Sequence, residues 1–224
     1  MAHFPFDAVL FDLDGVLTST TPLHAACWKR AFDEVLPEPF DVEREYLAHV
    51  DGKPRLDGVR DMLRARGIEP EPELVQSIAD RKQALVEHAL AADGVNAFPG
   101  SVRWVRQLRG DGVQTAVVSA SANCRAALRS ARIDDLFDVT IDGTDVRRLG
   151  LRGKPAPDGF LAAAVYLNVP PARAIVVEDA LAGVTAGRSG DFGLVIGVAR
   201  GTSAAALRDA GADIVVDDLQ EMVR

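Results

Sequence analysis

Short apolar runs alternate with helical segments from Gly94 to the end of the chain, and this alternation constrains the fold more than any other feature. The runs predicted as strands cover 114–119, 138–141, 174–177, 192–198 and 213–216. Apolar strands separated by helices are typical of a parallel sheet covered on both faces. One strand cannot fold alone, so the apolar run at 7–11 must join the same sheet. The sequence therefore predicts an α/β protein with a Rossmann-like core.

The segment from about residue 22 to 92 carries no convincing strand. Helices are predicted at 22–35, 42–50, 54–66 and 72–92. Pro22 and Pro72 suit the first turn of a helix, where a missing N–H group costs nothing. We therefore expect a helical-bundle cap, residues 19–92, inserted after the first strand of a core made of residues 1–18 and 93–224.

Composition narrows the classes of partner. The chain has 224 residues and a formal net charge of -8, which argues against a general nucleic-acid or anionic-membrane surface. No apolar run approaches the ~18–20 residues of a membrane span, and the N-terminal residues show no secretory pattern. Cys27 and Cys124 are far apart and lack metal-type spacing. We expect a cytoplasmic monomer that acts on a small molecule, with neither a nucleic acid nor a membrane as partner.

Two carboxylates, Asp12 and Asp14, stand two residues apart directly after the first predicted strand. Side chains two residues apart share a direction along a strand, and open α/β sheets bind ligands at the carboxyl ends of their strands. Gly15 permits a tight exit from the strand. Two close carboxylates need a cation or a shared proton, and Mg²⁺ with oxygen ligands supplies the former. The alternative for this motif alone is a solvated turn.

Three later loops at the same predicted sheet edge also carry polar side chains. They hold Ser119, Ser121 and Asn123, then Lys154 between a glycine and two prolines, and finally the pair Glu178 and Asp179. Each motif alone is compatible with an ordinary role as a helix cap, a solvated lysine or an acidic helix start. Together they match a Mg²⁺-assisted phosphoryl-transfer site with metal ligands, a carboxylate nucleophile and donors for phosphoryl oxygens.

The order of these motifs resembles that of the haloacid dehalogenase-like hydrolase superfamily. The four motifs here are Asp12-Leu13-Asp14-Gly15, Ser119-Ala120-Ser121, Lys154-Pro155-Ala156-Pro157 and Glu178-Asp179. The resemblance implies that Asp12 is a nucleophile forming an aspartyl phosphate and that Asp14 is the general acid and base. It also implies Mg²⁺ held by Asp12, the backbone carbonyl of Asp14 and Asp179, with Glu178 nearby. Ser119, Ala120 and Lys154 would then lie at the phosphoryl oxygens.

A finer set of residues resembles the β-phosphoglucomutase branch of that superfamily. The set consists of Thr20, His24, Trp28, Gly52 and Arg55, together with the second motif as far as Asn123. By resemblance, His24 pairs with Asp14 and links cap closure to proton transfer, while Arg55, Ser121 and Asn123 hold the phosphate that is not transferred. A bisphosphate that binds in two orientations needs such a second anion site, and the planar donor fork of arginine suits it.

The activity that the resemblance implies is the interconversion of β-D-glucose 1-phosphate and glucose 6-phosphate through glucose 1,6-bisphosphate. Ala122 and Ser19 depart from this branch, which often has lysine and aspartate there, and both changes favour simple hydrolysis. A sugar-phosphate phosphatase therefore remains an alternative. A phospho-accepting signalling domain is a second one, although such domains are shorter and lack a cap. A non-catalytic sugar-phosphate binder is a third.

Overall fold

The computed structural model describes residues 5–224, and a six-stranded parallel sheet forms its centre. The strands are β1 (Ala8–Phe11), β2 (Gln114–Val118), β3 (Val139–Ile141), β4 (Ala174–Glu178), β5 (Leu194–Val198) and β6 (Ile214–Val216). Their order across the sheet is β3-β2-β1-β4-β5-β6, and every neighbouring pair is parallel. All six strands predicted from the sequence are confirmed. This order places the loops that follow β1, β2 and β4 beside one another.

Helices surround the sheet and fill the segment between β1 and β2. They are α1 (Thr21–Asp33), α2 (Arg55–Ala65), α3 (Pro72–Asp93), α4 (Pro99–Gly110), α5 (Cys124–Ser130), α6 (Gly143–Arg148), α7 (Asp158–Leu167), α8 (Leu181–Ser189) and α9 (Ala204–Asp209). A π-helical segment covers Val42–Val50, and 3₁₀ turns cover Asp134–Leu136, Pro171–Arg173 and Leu219–Met222. The helix α6 was not predicted from the sequence.

Alternation along β1 explains why the sheet is buried on both faces. Phe11 packs edge-on against Trp104 of α4, with ring centroids 5.5 Å apart. Leu10 points to the opposite face and joins the cluster around Phe160 of α7. Successive strand side chains point to opposite faces, so a fully apolar β1 requires helices on both sides. The two layers of helices fix the strand ends, and with them the loops that carry the polar residues.

The helices between β1 and β2 have a hydrophobic core of their own, which confirms the inserted helical cap. Trp28 and Phe32 stack with ring centroids 5.2 Å apart, and Phe32 stacks on Phe40 at 5.0 Å. Two linkers connect the cap to the core side by side, because the amide of Ser19 donates to the carbonyl of Asn96 at 3.0 Å. The exact boundaries at 18/19 and 92/93 stay a prediction.

Within residues 5–224, none of the helices combines the length and the apolar character needed to cross a membrane.

Candidate active site

A cavity of about 250 Å³ lies between the cap and the carboxyl ends of the strands. Its walls bring together most of the residues singled out from the sequence: Asp12, Asp14, His24, Trp28, Gly52, Arg55, Ser119, Ala120, Ser121, Lys154 and Asp179. Three further residues do not line the cavity themselves, but each forms a hydrogen bond with a residue that does. Thr20 bonds to Asp14, Asn123 to Gln83 and Glu178 to Lys154. The predicted site is therefore one connected place in the fold.

Asp12 extends the line of β1, where its amide donates to the carbonyl of Val177 at 2.9 Å. Its carboxylate accepts a hydrogen bond from Lys154. The lysine also donates to Glu178 Oε1 at 2.5 Å and to the carbonyl of Val118 at 3.0 Å. Burial raises the pKa of Asp12 well above its usual value, against the opposing effect of Lys154. For Lys154, burial acts to lower the pKa, but the two carboxylates outweigh it and the pKa rises.

Three buried carboxylates form a cluster beside this lysine. Oxygens of Asp12, Glu178 and Asp179 lie within 4.8 Å of one another. Burial, followed by the charges of Asp51 and Glu178, raises the pKa of Asp179 well above its usual value. Gly15 makes room for this carboxylate, since a Cβ there would lie 1.8 Å from Asp179 Oδ2. Buried charges of one sign need a counter-ion, so the donor set fits a hard divalent cation with oxygen ligands.

The carboxylate of Asp14 lies outside that cluster and faces the cap instead. It accepts a hydrogen bond from the hydroxyl of Thr20, and His24 Nε2 lies 3.4 Å from Asp14 Oδ1. Burial acts to raise the pKa of Asp14, but His24 and Thr20 outweigh it and the pKa falls to about 2. The first two acidic residues thus occupy different surroundings, one beside a lysine and the other beside a histidine.

Lys82 of α3 completes this group and was missed in the sequence. Its Nζ lies 2.9 Å from His24 Nδ1 and 5.0 Å from the ring centroid of Trp28. Burial lowers its pKa to about 8. A signal existed, because Lys82 stands where the spacing of Ile78 and Val86 calls for an apolar side chain.

The far end of the cavity joins the cap to the second motif. Arg55 donates through Nη1 to Gln83 Oε1, and Gln83 Nε2 donates to Asn123 Oδ1 at 2.9 Å. The amide of Asn123 in turn donates to the hydroxyl of Ser121 at 3.2 Å. Among residues 5–224, the buried Nε of Arg55 has no hydrogen-bond partner. Gln83 was also missed, since a single glutamine on a helix gives no signal in a sequence.

The loop before α2 brings the cap close to the core. Gly52 has a φ of +69°, and a Cβ at this position would lie 2.7 Å from the Cβ of Ala180. The adjacent Asp51 also lines the cavity, and burial raises its pKa to about 6. A larger side chain at Gly52 would separate the two loops. Close approach of cap and core is thus the structural role of this predicted residue.

Comparison with known proteins agrees with the four motifs. The model of the family described as haloacid dehalogenase-like hydrolase matches residues 6–191. The chain belongs to this family. The haloacid dehalogenase-like fold expected from the sequence is thereby confirmed, and the protein is an enzyme.

Several relatives of this haloacid dehalogenase-like enzyme are named β-phosphoglucomutase. It is 43% identical to a β-phosphoglucomutase of Mycobacterium bovis over 238 residues, which covers 96% of this chain and 91% of the relative. A β-phosphoglucomutase of Bacillus subtilis is 32% identical, with 96% and 91% covered. A solved structure of β-phosphoglucomutase from Clostridium difficile superposes with a TM-score of 0.82 and 26% identity, covering 97% of this chain and 93% of that one.

Proposed function

We propose that this enzyme is a Mg²⁺-dependent β-phosphoglucomutase that interconverts β-D-glucose 1-phosphate and glucose 6-phosphate. The observation that carries the proposal is a cavity with cationic groups from both the core and the cap. Lys154 of the core lies beside Asp12, and Arg55 of the cap has no carboxylate ion-paired to it among residues 5–224. A hexose bisphosphate has the matching arrangement, with an anion at each end of an uncharged ring. The names of the relatives at 43% and 32% identity support the same activity.

In this proposal, Asp12, Asp179 and the backbone carbonyl of Asp14 hold Mg²⁺. Glu178 is fully buried and pairs with Lys154, so it would balance the lysine charge close to the metal. When bound, Mg²⁺ supplies positive charge to the oxygens of the phosphoryl group in transfer. The hydroxyl of Ser119 and the ammonium of Lys154 would hold the same oxygens through charge-assisted hydrogen bonds.

The first half-reaction begins with phosphorylated Asp12 and β-glucose 1-phosphate. The sugar O6 hydroxyl attacks the phosphorus, an O6–P bond forms, and the bond between phosphorus and the Asp12 carboxylate oxygen breaks. The hydroxyl proton passes to the carboxylate of Asp14, which acts as general base. The product, glucose 1,6-bisphosphate, then turns within the cavity so that its other phosphate faces Asp12.

The second half-reaction reverses these roles. The Asp12 carboxylate attacks the phosphorus of the 1-phosphate, the O1–P bond breaks, and O1 takes the proton back from Asp14. Glucose 6-phosphate leaves, and the aspartyl phosphate is restored. Because each step uses the same carboxylate for the proton, the side chain of Asp14 has to be free of the metal, in agreement with its contacts to Thr20 and His24.

The cap would select the sugar over water as the acceptor. The chain of contacts from Lys82 through His24 to Asp14 crosses from α3 to the loop after β1. We propose that this chain places the Asp14 carboxylate for proton transfer only when the cap lies on the core. Closure would also exclude water from the aspartyl phosphate.

Sugar-phosphate hydrolysis is the second candidate function, and one observation favours it. Ala122 lines the cavity next to Ser121 and offers no charge there. A weaker hold on the distal phosphate would let water compete for the aspartyl phosphate.

The test is product analysis by ³¹P NMR with β-glucose 1-phosphate, Mg²⁺ and a catalytic amount of glucose 1,6-bisphosphate. The proposal predicts glucose 6-phosphate in stoichiometric yield with little inorganic phosphate, and no product with Asp12→Asn. Release of inorganic phosphate alone, with or without the bisphosphate, would refute the mutase and support the phosphatase.

A further inference from the structure

In the part of the chain that the structure describes, seven cationic side chains line the cavity; Lys154 contacts Asp12 and Lys82 contacts His24, and most of the remaining five are paired with carboxylates. Lys53 pairs with Asp61, Arg60 with Asp57 and Arg152 with Asp158, at 2.8–2.9 Å. The other two, Arg55 and Arg147, form no ion pair with any of residues 5–224. Two positively charged arginines that line one cavity without a carboxylate partner indicate a site for an anion.

Arg147 belongs to α6, and the acidic residues of that helix are already engaged. Asp142 and Asp145 form a capping box at its start. Arg125 pairs with both of them, at 3.0 and 2.8 Å, and Arg148 pairs with Asp145 at 2.8 Å. Neighbouring arginines thus have different surroundings, because Arg148 is held by a carboxylate whereas Arg147 lines the cavity.

The start of α6 packs against the second motif, and Arg147 lines the cavity from the same helix. Gly143 donates through its amide to the carbonyl of Ser121 at 3.1 Å. A Cβ on Gly143 would lie 2.4 Å from the carbonyl oxygen of Ala120 and 3.1 Å from the amide of Ala122. Residues four apart lie on the same face of a helix, so Arg147 stands one turn beyond Gly143 on the face that touches this loop.

Arg55 approaches the same loop from the cap. It contacts Gln83, which is bonded to Asn123 at the end of the second motif. The pKa of Arg55 is lowered by burial first and by the charge of Arg147 second, so the two guanidinium groups are close enough to repel each other. A phosphate between them would remove this repulsion and give each arginine two acceptor oxygens.

We propose that Arg147 of the core and Arg55 of the cap together bind the phosphate that is not being transferred. This inference rests on the proposed function, since a ligand with two phosphates is what such a site selects. It assigns to Arg147 the cationic role on the core side of the loop, where Ala122 has none. It also gives the cap a reason to close, because the distal phosphate bridges a cap arginine and a core arginine.

The test measures binding of glucose 1,6-bisphosphate by isothermal titration calorimetry in the Asp12→Asn enzyme with Mg²⁺, where no turnover occurs. Adding Arg147→Ala is expected to weaken binding at least tenfold, as removal of a charge-assisted contact does. Arg147→Lys keeps the charge without the planar fork, and its affinity for the bisphosphate is expected to lie between those of the parent and of Arg147→Ala. Guanidinium at millimolar concentration is expected to restore part of the affinity lost in Arg147→Ala, which a purely structural role would not allow.

Arg148→Ala is the matched control, since it removes the adjacent arginine of the same helix that does not line the cavity. It is expected to bind the bisphosphate within twofold of its parent. Equal affinities for Arg147→Ala and its parent, or equal losses for Arg147→Ala and Arg148→Ala, would overturn the inference. Failure of the Asp12→Asn parent enzyme to bind the bisphosphate would also overturn the inference. Failure of the proposed function is a separate result, namely no glucose 6-phosphate from the unsubstituted enzyme.

Discussion

At the scale of single residues, the buried charge of Lys82 in the active site lowers the stability of the folded protein. Its ammonium group is buried in the cap with one histidine and one indole ring as partners. Its pKa of about 8 in the folded protein is below the ordinary value of 10.5. The unfolded chain therefore binds more protons between these values, so this group makes stability rise as the pH goes from about 8 to 10.5. Below about pH 8 the folded state carries the whole cost of the buried charge.

We predict that Lys82→Met raises the free energy of unfolding at pH 7 by about 1–2 kcal/mol. The lowered pKa corresponds to a net cost of ~3 kcal/mol for the charged form of Lys82 in the folded protein, and the lost contacts to His24 and Trp28 return ~1–2 kcal/mol of that. The gain is expected to shrink as the pH approaches 10, and turnover is expected to fall because His24 loses its partner. Urea unfolding at pH 7 and pH 10 measures the first effect, and the mutase assay measures the second.

Lys29→Met is the control for this prediction, because Lys29 is half exposed and pairs with Asp33 on the surface of α1. The free energy of unfolding of the Lys29→Met enzyme is expected to differ from that of the unsubstituted enzyme by less than ~0.5 kcal/mol at pH 7 and at pH 10. Equal stabilities for Lys82→Met and the unsubstituted enzyme at pH 7, with turnover intact, would contradict the assigned role.

The residues that sequence analysis identified share a local pattern, whereas those it missed do not. Asp12, Asp14 and Lys154 stand in short motifs whose neighbours, a strand end, a glycine or two prolines, indicate a fixed loop. Lys82 and Gln83 lie within a long amphipathic helix, and only the docking of the cap onto the core shows what they touch. Their contacts with His24, Arg55 and Asn123 join residues 28 to 58 positions apart in the chain, so no local pattern contains them.

At the scale of elements, α6 is the helix that the sequence analysis did not predict. Its six residues include only one apolar side chain, that of Val146, so no helical period is visible in the sequence. The capping box of Asp142 and Asp145 was the available signal. The other helices and all six strands were predicted from the alternation of apolar runs with helical segments along the chain. The short helix nevertheless matters, since it carries Arg147 to the cavity.

We predict that Gly143→Ala moves α6 away from the second motif. The new Cβ would lie 2.4 Å from the carbonyl oxygen of Ala120, which is backbone and cannot rotate away. The expected cost is ~1–3 kcal/mol of stability, together with weaker binding of glucose 1,6-bisphosphate because Arg147 is displaced. Thermal unfolding and calorimetric titration in the Asp12→Asn enzyme measure the two effects.

Gly110→Ala provides the comparison at the end of α4, where a Cβ would meet nothing within 4 Å. It is expected to leave both the unfolding temperature and the binding constant within experimental error, or to raise stability slightly. A Gly143→Ala enzyme as stable as Gly110→Ala would show that α6 is free to shift and would weaken the account of its packing.

At the scale of the whole molecule, the fold concentrates negative charge at one edge of the sheet. Three carboxylates converge there, and burial raises the pKa of two of them, Asp12 and Asp179. Lys154 balances only part of this charge. The loops are held in place by a sheet and helices on both faces, so the carboxylates cannot relax apart. A bound divalent cation should therefore stabilise the entire folded chain.

We predict that Mg²⁺ raises the unfolding temperature of the metal-free enzyme. At a concentration a hundred times the dissociation constant, binding to the folded state alone contributes about 2.7 kcal/mol. Asp179→Asn is expected to lose this increase, whereas Asp14→Asn is expected to keep it because the Asp14 carboxylate faces Thr20 and His24. Chelation should abolish turnover in the unsubstituted enzyme. An unfolding temperature that ignores Mg²⁺ would contradict the proposed metal site.

In the proposed cycle, the aspartyl phosphate passes its phosphoryl group to a sugar rather than to water. The most direct measurement loads the enzyme with ³²P from labelled glucose 1,6-bisphosphate in Mg²⁺ and chases it with unlabelled β-glucose 1-phosphate. The label is expected to leave the protein as sugar phosphate, and the Asp12→Asn enzyme is expected never to be labelled. Label recovered as inorganic phosphate in the presence of the sugar would contradict the proposed cycle.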